Sequence, residues 1–272
     1  MTAYLSQSGI RLNVLGTVRK VVARVLKGSP RLLNTVRIAS IAIWKNRAIE
    51  SWPPLLAELH EIKVPRAIVP NPTKTPRGSA NINILFKLLE ETKNIEGDVA
   101  ECGVFRGATL IPMGLYLKQH GIRKTLLGFD SFEGFDQSVN IDIQMGGGDY
   151  DDMKIGGFGA TSYELVTNKV ARFGLSSTVK LVKGYFRDTL PQYSNRRLSL
   201  VHLDCDIYQS YKECLEFFYP RLNPGGLVLF DEYNDPPWPG CNKAVDEFLA
   251  DKPERLLEIE TDNYQKWYFR KQ

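Results

Sequence analysis

The chain has 272 residues and a formal net charge of +4, with 43% hydrophobic and 24% charged residues. This composition is that of an ordinary folded globular protein, and the length is enough for one large α/β domain with an appendage or for two small domains. No run of about 20 apolar residues occurs in the sequence, which excludes a membrane-spanning helix.

The cysteines and the N-terminal residues bear on the compartment in which the protein works. The first thirty residues lack the continuous apolar core that is found in a signal peptide. The cysteines form neither a CxxC pair nor a Cys/His spacing typical of a metal site. They are Cys102, Cys205, Cys214 and Cys241. We therefore expect free thiols in a reducing compartment and a cytoplasmic location.

Residues 1–49 carry nine basic side chains and no acidic one, so this segment is +9 and the rest of the chain is −5. Stretches such as RLLNTVRIASIAIWK predict a basic, partly amphipathic helical arm. Such an arm could lie on an anionic membrane surface, or it could pack on the core or on a second subunit. Nucleic-acid binding is not expected, because no aromatic interleaving or recognised module accompanies the charge. We also expect a homo-oligomer.

A proline-rich stretch over residues 50–80 follows the arm, and its prolines argue against regular structure. We interpret it as a connector, so that the arm and connector occupy residues 1–80 and the main domain occupies residues 81–272. The main domain opens with NINILFKLLEETK, residues 81–93, where the apolar side chains recur at helical spacing.

Strands and helices then alternate along the chain. Predicted strands cover residues 98–105, 125–130, 179–184, 198–204 and 226–233, and predicted helices cover residues 108–120, 161–174, 209–222 and 241–251. The strands are apolar throughout, which is typical of a parallel sheet with helices on both faces. Residues 256–271 predict a closing hairpin. The sequence therefore predicts an α/β fold with a doubly wound sheet, mostly parallel, with one antiparallel strand near its edge.

Residues 134–160 form a glycine-rich segment without helical or strand periodicity. A loop of this length inside a compact domain is usually functional or disordered. We interpret it as a lid in which the glycines supply hinges.

The ends of the first two predicted strands carry a weak cofactor signature. The first strand runs into ECGVFRGAT, where Gly103 and Gly107 allow a tight turn and the close approach of a ligand, although this is not a GxGxxG motif. The second strand ends at Asp130, where an acid can accept hydrogen bonds from both ribose hydroxyls of an adenosine ligand. Together they favour an adenosine-type cofactor. The alternative is that Glu101 and Asp130 only cap strand ends.

Acidic residues follow the fourth and fifth strands. Asp204 and Asp206 end one strand, and Asp231 and Glu232 end the next. Carboxylates crowded at one sheet edge repel one another unless a cation joins them, and oxygen ligands suit Mg²⁺. Solvated acids without an ion, or a glycosidase carboxylate pair, are the alternatives. His202, on the first of these strands, is more typical of a core residue than of a catalytic one.

Five blocks of this sequence resemble the macrocin O-methyltransferase family of bacterial natural-product enzymes, which methylate sugar hydroxyls. They are GDVAECGVFRGAT, GFDSFEGF, VKGYFRDTLP, HLDCDIYQSYKECLEFFYPRLNPGGLVLFDEY and PGCNKAVDEF. They stand in order within residues 79–250, close to two thirds of the chain. The resemblance implies a class I methyltransferase (Rossmann-like) fold with a helical N-terminal extension, S-adenosylmethionine as the methyl donor, and a Mg²⁺ ion held by the acidic strand ends.

The resemblance also implies roles for individual residues. The metal would be held by Asp204, Asp231 and Glu232, with Asp206 nearby to support the metal or the base. The family often has Asp-Asp-Tyr where this chain has Asp231-Glu232-Tyr233, which makes Glu232 the weakest of these assignments. The acceptor pocket would include Tyr208 and Trp238. The cofactor would contact Glu101, Gly103, Gly107, Thr109, Asp130, Ser131, Phe132, Gly184 and Phe186.

The function that follows is Mg²⁺-dependent methyl transfer from S-adenosylmethionine to a hydroxyl of a sugar, in a natural-product glycoside or a polysaccharide precursor. We expect Asp204 to act as the general base that takes the hydroxyl proton. Two alternatives stay open. One is a catechol-type O-methyltransferase, since a catechol also presents neighbouring oxygens to a metal. The other is a non-catalytic cofactor-binding protein of a glycan assembly at a membrane surface.

Overall fold

The computed structural model describes residues 28–44, 47, 49, 52, 54–63, 77–147, 152–261 and 264–272. The helices are α1 (Pro30–Trp44), α2 (Pro54–His60), α3 (Arg77–Thr92), α4 (Leu110–Gln119), α5 (Val139–Gln144), α6 (Tyr163–Arg172), α7 (Phe186–Thr189), α8 (Tyr208–Phe218) and α9 (Pro239–Leu249). The strands are β1 (Asp98–Cys102), β2 (Leu126–Asp130), β3 (Val179–Lys183), β4 (Leu198–Leu203), β5 (Leu222–Phe230), β6 (Leu257–Thr261) and β7 (Tyr264–Arg270). None of the helices in these ranges is long and apolar enough to cross a membrane.

The seven strands form one sheet in the order β3-β2-β1-β4-β5-β7-β6. The first five strands pair in parallel, and β7 pairs antiparallel with both β5 and β6. The prediction of a mostly parallel doubly wound sheet with one antiparallel strand near its edge is confirmed. Strand order reverses between β1 and β4, so the helices that follow these two strands, α4 and α8, pack on opposite faces of the sheet and leave a crevice at the carboxyl ends of the strands.

The sheet is covered on both faces because successive strand residues point in opposite directions. Leu200 packs into a core cluster that includes residues of α3 and α4, and its neighbour Val201 packs into a second cluster that includes residues of α8 and α9. Both side chains are fully buried. This double burial explains why the parallel strands are apolar throughout rather than alternating with polar residues.

The segment before the sheet is more ordered and more deeply packed than a connector. The proline-rich stretch contains the helix α2, so the prediction that it lacks regular structure is wrong for residues 54–60. Trp52 is 1% exposed and its ring stacks on Phe173 of the main domain at 5.5 Å between centroids. Ile49 and Ile62 are also buried in the core cluster that contains α3 and α4. The free energy gained by burying these apolar side chains outweighs the low propensity of this proline-rich sequence for regular structure.

The structure differs from the sequence-based prediction at two further places, and each difference has a local cause. The segment predicted to lack periodicity contains the six-residue helix α5, in which Val139 is fully buried against Ile207 and Trp238. Strand β5 begins at Leu222, earlier than the predicted 226, because pairing with β4 resumes across a register shift between Leu198 and Leu200. Asn-Pro-Gly-Gly is therefore the start of a strand rather than a connecting loop. All four cysteines are unpaired, as predicted, and all four are buried.

Candidate active site

A cavity of about 270 Å³ lies at the carboxyl ends of β1, β2 and β4. Its walls come from the turn after β1, the residues after β2 and β3, the start of α8 and the loop that contains Phe135 and Phe158. This is the place where open α/β sheets bind ligands, because strand order reverses between β1 and β4.

The turn after β1 is shaped by Gly103. Its φ is +91°, and a Cβ built on it would stand 1.6 Å from the backbone oxygen of Asp204. No other residue fits this turn, because both the positive φ and the contact exclude a side chain. The close approach brings the tips of β1 and β4 together at the cavity. Gly107, with φ +77°, faces Ile111 and Val166 rather than the cavity.

Asp130 ends β2 and lines the cavity, as a ribose-binding acid would. Its carboxylate accepts hydrogen bonds from the backbone N–H groups of Val104 (2.8 Å), Phe105 (2.7 Å) and Phe132 (2.6 Å). Burial raises the pKa of Asp130, and these three hydrogen bonds oppose that rise. A carboxylate has about four acceptor positions, so Asp130 holds the glycine turn to β2 and keeps one position for a ligand.

Glu101 lies behind the cavity wall rather than in it. It is fully buried, accepts a 2.5 Å hydrogen bond from Thr109 Oγ1, and lies 3.1 Å from His202 Nδ1. Its second oxygen, Oε2, has no hydrogen-bond partner among the described residues. Thr109 itself lines the cavity. Glu101 therefore positions Thr109 and His202 instead of contacting a ligand directly.

Three carboxylates meet at the tips of β4 and β5. One oxygen from each of Asp204, Asp231 and Glu232 lies within 4.8 Å of the other two. Burial and the charge of Asp231 raise the pKa of Asp204, and burial and the neighbouring acids raise the pKa of Glu232 well above its usual range. Buried negative charge of this density is relieved by protonation or by a cation, and a set of three carboxylates suits Mg²⁺.

Polar partners orient two of these acids. Asp231 Oδ1 accepts a 2.6 Å hydrogen bond from Asn81 Nδ2 and forms a 2.9 Å ion pair with Lys266 Nζ. Glu232 Oε2 accepts a 2.5 Å hydrogen bond from the Tyr211 hydroxyl. These bonds engage one oxygen of each carboxylate, so each residue keeps a second oxygen to offer to a cation.

Asp206 stands apart from the cluster of three and lines the cavity. Its φ is +62°, a left-handed conformation that Asp tolerates better than most residues, and its backbone N–H donates to Glu232 Oε2 at 3.3 Å. Burial and then the charges of Asp204 and Asp231 raise the pKa of Asp206 well above its usual range. Such a carboxylate is a stronger base than an ordinary aspartate.

The loop after β2 closes one side of the cavity with aromatic rings. Phe135 and Phe158 line the cavity, and their ring centroids lie 5.5 Å apart. Trp238 packs behind them, with its centroid 6.3 Å from that of Phe135. Burial raises the pKa of Asp142 in α5 to about 6, although its carboxylate accepts hydrogen bonds from the Tyr208 backbone N–H at 3.1 and 3.2 Å. These contacts connect the loop to the start of α8.

The residues predicted from the sequence fall into two groups. The structure brings together at the cavity Gly103, Thr109, Asp130, Ser131, Gly184, Phe186, Asp204 and Asp206. Asp231 and Glu232 adjoin it through the cluster with Asp204.

The other predicted residues lie outside the cavity lining. Phe132 has φ +55°, which turns its ring into the core against Tyr163. Tyr208 points away, and its hydroxyl donates to Glu247 at 2.7 Å. Trp238, at 8% exposure, supports the aromatic wall instead of lining the cavity. Glu101 and Gly107 also lie outside the cavity lining.

Several residues at the site carry no signal in the local sequence. Lys63 lines the cavity although it belongs to the stretch predicted as a connector. Asn81 and Lys266 contact Asp231 from positions that are 150 and 35 residues away along the chain. Asn81 is a polar residue on a mostly apolar helix face, but that pattern does not indicate which residue it contacts.

Comparison with known proteins places this site in context. Residues 65–271 match the family model described as macrocin-O-methyltransferase (TylF). The chain is 31% identical over 188 residues to mycinamicin III 3''-O-methyltransferase of Micromonospora griseorubida, covering 66% of this chain and 71% of that protein. It is 35% identical over 160 residues to 8-demethyl-8-(2,3-dimethoxy-alpha-L-rhamnosyl)-tetracenomycin-C 4'-O-methyltransferase of Streptomyces olivaceus, covering 57% of this chain and 58% of that protein, less than two thirds of its length.

A solved structure agrees with these relatives. The O-methyltransferase NovP superposes with a TM-score of 0.60 at 30% sequence identity, over 72% of this chain and 81% of that one. The strand order, the glycine turn and the acid at the end of β2 are those of a class I methyltransferase that takes its methyl group from S-adenosylmethionine. Within that class, the chain belongs to the macrocin O-methyltransferase family.

Proposed function

We propose that this O-methyltransferase transfers the methyl group to a hydroxyl of a sugar and requires Mg²⁺. The observation that carries the proposal is the cluster of Asp204, Asp231 and Glu232 at the edge of the cavity that Asp130 lines. The name of one relative supports a sugar acceptor, because the tetracenomycin enzyme is named for 4'-O-methylation of a rhamnosyl-tetracenomycin C.

At the proposed donor end, residues that line or adjoin the cavity would contact the cofactor. Asp130 would accept a ribose hydroxyl, and Thr109, held by Glu101, would contact the amino-acid end of the donor. S-adenosylmethionine supplies an electrophilic methyl group on a positively charged sulfur. Because the cofactor carries the reactive group, the main task of the protein is to hold the two reactants in line and to exclude water.

The acceptor end is where the hydroxyl must lose its proton. Asp204, Asp231 and Glu232 would hold Mg²⁺, which when bound acts as a Lewis acid and template for acceptor oxygens. A carboxylate that binds a metal is a weaker base, so Asp204 is less suited to proton transfer than to ligation. Asp206 lines the cavity two residues further on and lies outside the cluster of Asp204, Asp231 and Glu232. We therefore assign Asp206, rather than Asp204, as the base whose carboxylate takes the hydroxyl proton.

Two variants separate these roles. Asp206→Asn should lower the methyl-transfer rate about 100-fold or more and leave Mg²⁺ binding unchanged, since a general base contributes about that much. Asp204→Asn should weaken Mg²⁺ binding itself, measured by calorimetry, while the affinity for S-adenosylmethionine stays within a few-fold. Asp188→Asn, at an exposed acid beside the cavity-lining Arg187, is the control. Normal turnover in the Asp204 variant would place the metal elsewhere.

The donor and the acceptor class are tested separately. Calorimetry of S-adenosylmethionine with and without Mg²⁺ should show binding, and a complete lack of binding in both conditions would rule out the proposed enzyme. A methyl-transfer screen should then include a sugar nucleotide, a macrolide glycoside and a catechol. Turnover of the catechol alone would replace the sugar acceptor by a catechol-type one.

The outer face of α1 supports a peripheral contact with an anionic membrane. Three large apolar side chains are exposed on it: Leu32 (46%), Ile38 (50%) and Ile43 (63%). The opposite face is held to α2, where Arg37 Nε donates to Leu59 O at 2.8 Å. Residues 1–49 carry a charge of +9, so a second copy docked on this face would bring repelling charge, whereas anionic lipid would complement it. An acceptor at a membrane surface would fit this contact.

Vesicle co-sedimentation tests the contact. The full chain should bind vesicles that contain phosphatidylglycerol and not vesicles of phosphatidylcholine alone. Ile38→Glu should reduce that binding several-fold, whereas Ile155→Glu, at another exposed isoleucine (59%), should not. If Ile38→Glu instead dissociates a dimer in solution, the face contacts a second copy. A homo-oligomer remains a prediction, and so does a cytoplasmic location, which the buried free cysteines favour.

A further inference from the structure

Lys63 is a cation that the segment before the sheet contributes to the active-site cavity. It lies three residues after the end of α2, and its backbone N–H donates to Ala108 O at 2.8 Å. Lys63 lines the same cavity as Ala108 and Thr109, which stand at the start of α4. The residue stands outside the range 65–271 that matches the family model.

The position of Lys63 is held by an ion-pair network two residues earlier. Glu61 lies within 3.7 Å of both Arg37 and Arg106, and within 3.4 Å of Lys169 Nζ. Lys169 also donates to Arg106 O at 2.8 Å. These contacts tie the end of α2 to α1, to the glycine turn and to α6. The loop that carries Lys63 is therefore built into the cavity wall.

The Lys63 ammonium has no ion pair or hydrogen bond with the described residues. It is close enough to Asp204 and Asp231 to lower the pKa of each, but neither carboxylate lies within ion-pair distance in the described part of the chain. A half-buried lysine that has no ion-pair or hydrogen-bond partner for its ammonium among the described residues, in a cavity built for a ligand, indicates an anionic group on that ligand.

The geometry of the cavity indicates which anionic group this is. Asp130 lies on one side of the cavity and marks the end that would take the ribose, whereas Ala108 and Thr109 mark the start of α4 beyond the glycine turn. S-adenosylmethionine has one anionic group, the α-carboxylate, at the opposite end of the molecule from its adenosine. We propose that Lys63 Nζ binds the α-carboxylate of S-adenosylmethionine. This inference rests on the proposed donor site.

The test compares two donors that differ only in that carboxylate. S-adenosylmethionine and decarboxylated S-adenosylmethionine share the adenosine, the sulfonium and the amino group. Lys63→Met should weaken binding of S-adenosylmethionine about ten- to hundredfold, as expected for one charge-assisted hydrogen bond. Binding of the decarboxylated donor should stay the same or tighten slightly, because a repelling positive charge is removed. Calorimetry measures both, without any need for turnover.

Matched variants make the result specific. Lys63→Arg should retain most of the affinity for S-adenosylmethionine, and Lys87→Met, at an exposed lysine on α3, should not affect either donor. An equal loss of affinity for both donors would overturn the proposal, since Lys63 would then act through the fold or through Asp204. Unchanged donor affinity with weaker acceptor binding would also overturn it and assign Lys63 to the acceptor. If the unaltered protein binds neither donor, the proposed function itself fails.

Discussion

Individual side chains at this site owe their charge state to their neighbours rather than to their residue type. Burial alone would raise the pKa of Asp231, but the Lys266 ammonium and the His202 imidazole outweigh it and hold that pKa well below its usual range. Burial would lower the pKa of His202, but Asp231 and Glu101 raise it to about 9. No cationic side chain pairs with Asp206 in the part of the chain that the structure describes, and burial together with nearby acids raises its pKa. Equivalent carboxylates can therefore act as ligand and as base.

His60 offers a prediction at this scale that does not depend on the active site. It is 3% exposed, and burial followed by the charges of Arg37, Lys169 and Arg172 lowers its pKa from 6.5 to about 4. The unfolded chain takes up this proton below about pH 6.5 and the folded chain does not, so the free energy of unfolding falls as the pH falls from about 6.5 towards 4. The stabilising contribution of neutral His60 to the free energy of unfolding is fully present above about pH 6.5.

His60→Gln should remove this pH dependence and keep a partner for Ser40, which lies 2.7 Å from His60 Nε2. Between pH 7 and pH 5, the loss of unfolding free energy should be smaller in the variant than in the unaltered protein by about 2 kcal/mol. Urea denaturation at the two pH values measures the difference. His120→Gln, at an exposed histidine, should behave like the unaltered protein. Equal pH dependence in all three proteins would show that His60 is protonated in the folded state.

At the scale of elements, the site depends on how closely β1 and β4 approach each other. The strands pair in parallel register up to Cys102 and Leu203, and the turn at Gly103 then passes over the backbone oxygen of Asp204. The same turn is held to β2 by Asp130. Three strand tips are thus connected through one glycine, and the acids that follow β4 depend on it for their position.

Gly103→Ala tests this connection. The new Cβ would overlap Asp204 O, and with φ at +91° the cost should be about 3 kcal/mol or more in the free energy of unfolding. Gly121→Ala is the matched control: its φ is +64° and its Cβ would meet nothing within 4 Å, so only the left-handed backbone should cost about 1 kcal/mol. Similar losses in the two variants, measured by denaturation, would contradict the role of the close approach.

For the whole molecule, the segment before the sheet belongs to the same hydrophobic core as the methyltransferase fold. Ile41, Ile49, Trp52 and Leu56 share a cluster with residues of α3, α4 and the sheet. The same segment carries Lys63 to the cavity. Folding of this segment and assembly of the cavity are therefore coupled, although the sequence alone suggests an arm and a separate connector.

Trp52→Ala tests the coupling. Truncation of a fully buried tryptophan should lower the free energy of unfolding by about 3 to 5 kcal/mol, because it removes the stack on Phe173 and leaves a cavity. Unfolding should still follow a single transition, observed both by circular dichroism and by the fluorescence of the remaining tryptophans. An unchanged midpoint of the unfolding transition, or two separate unfolding transitions, would show that the segment folds independently of the sheet.

The sequence by itself determined the features that depend on short-range pattern. Apolar strands separated by amphipathic helices predict the parallel sheet and its closing hairpin, and acids that directly follow strands predict where charge collects. The ordered blocks of sequence identify the family. These features can be predicted from the sequence because the periodicity of a strand or helix, and the residue type at its end, are local properties of the chain.

Only the tertiary structure decided which side chains meet. Lys266 and Asn81 contact Asp231 from β7 and α3, and Lys63 lines the cavity from the segment after α2. No local pattern indicates those approaches. Tyr208 and Trp238 lie near the site along the chain, yet their side chains contact Glu247 and the aromatic wall instead of lining the cavity. The reason is physical: contacts between distant residues depend on the packing of whole elements, which minimises buried unpaired charge and empty space together.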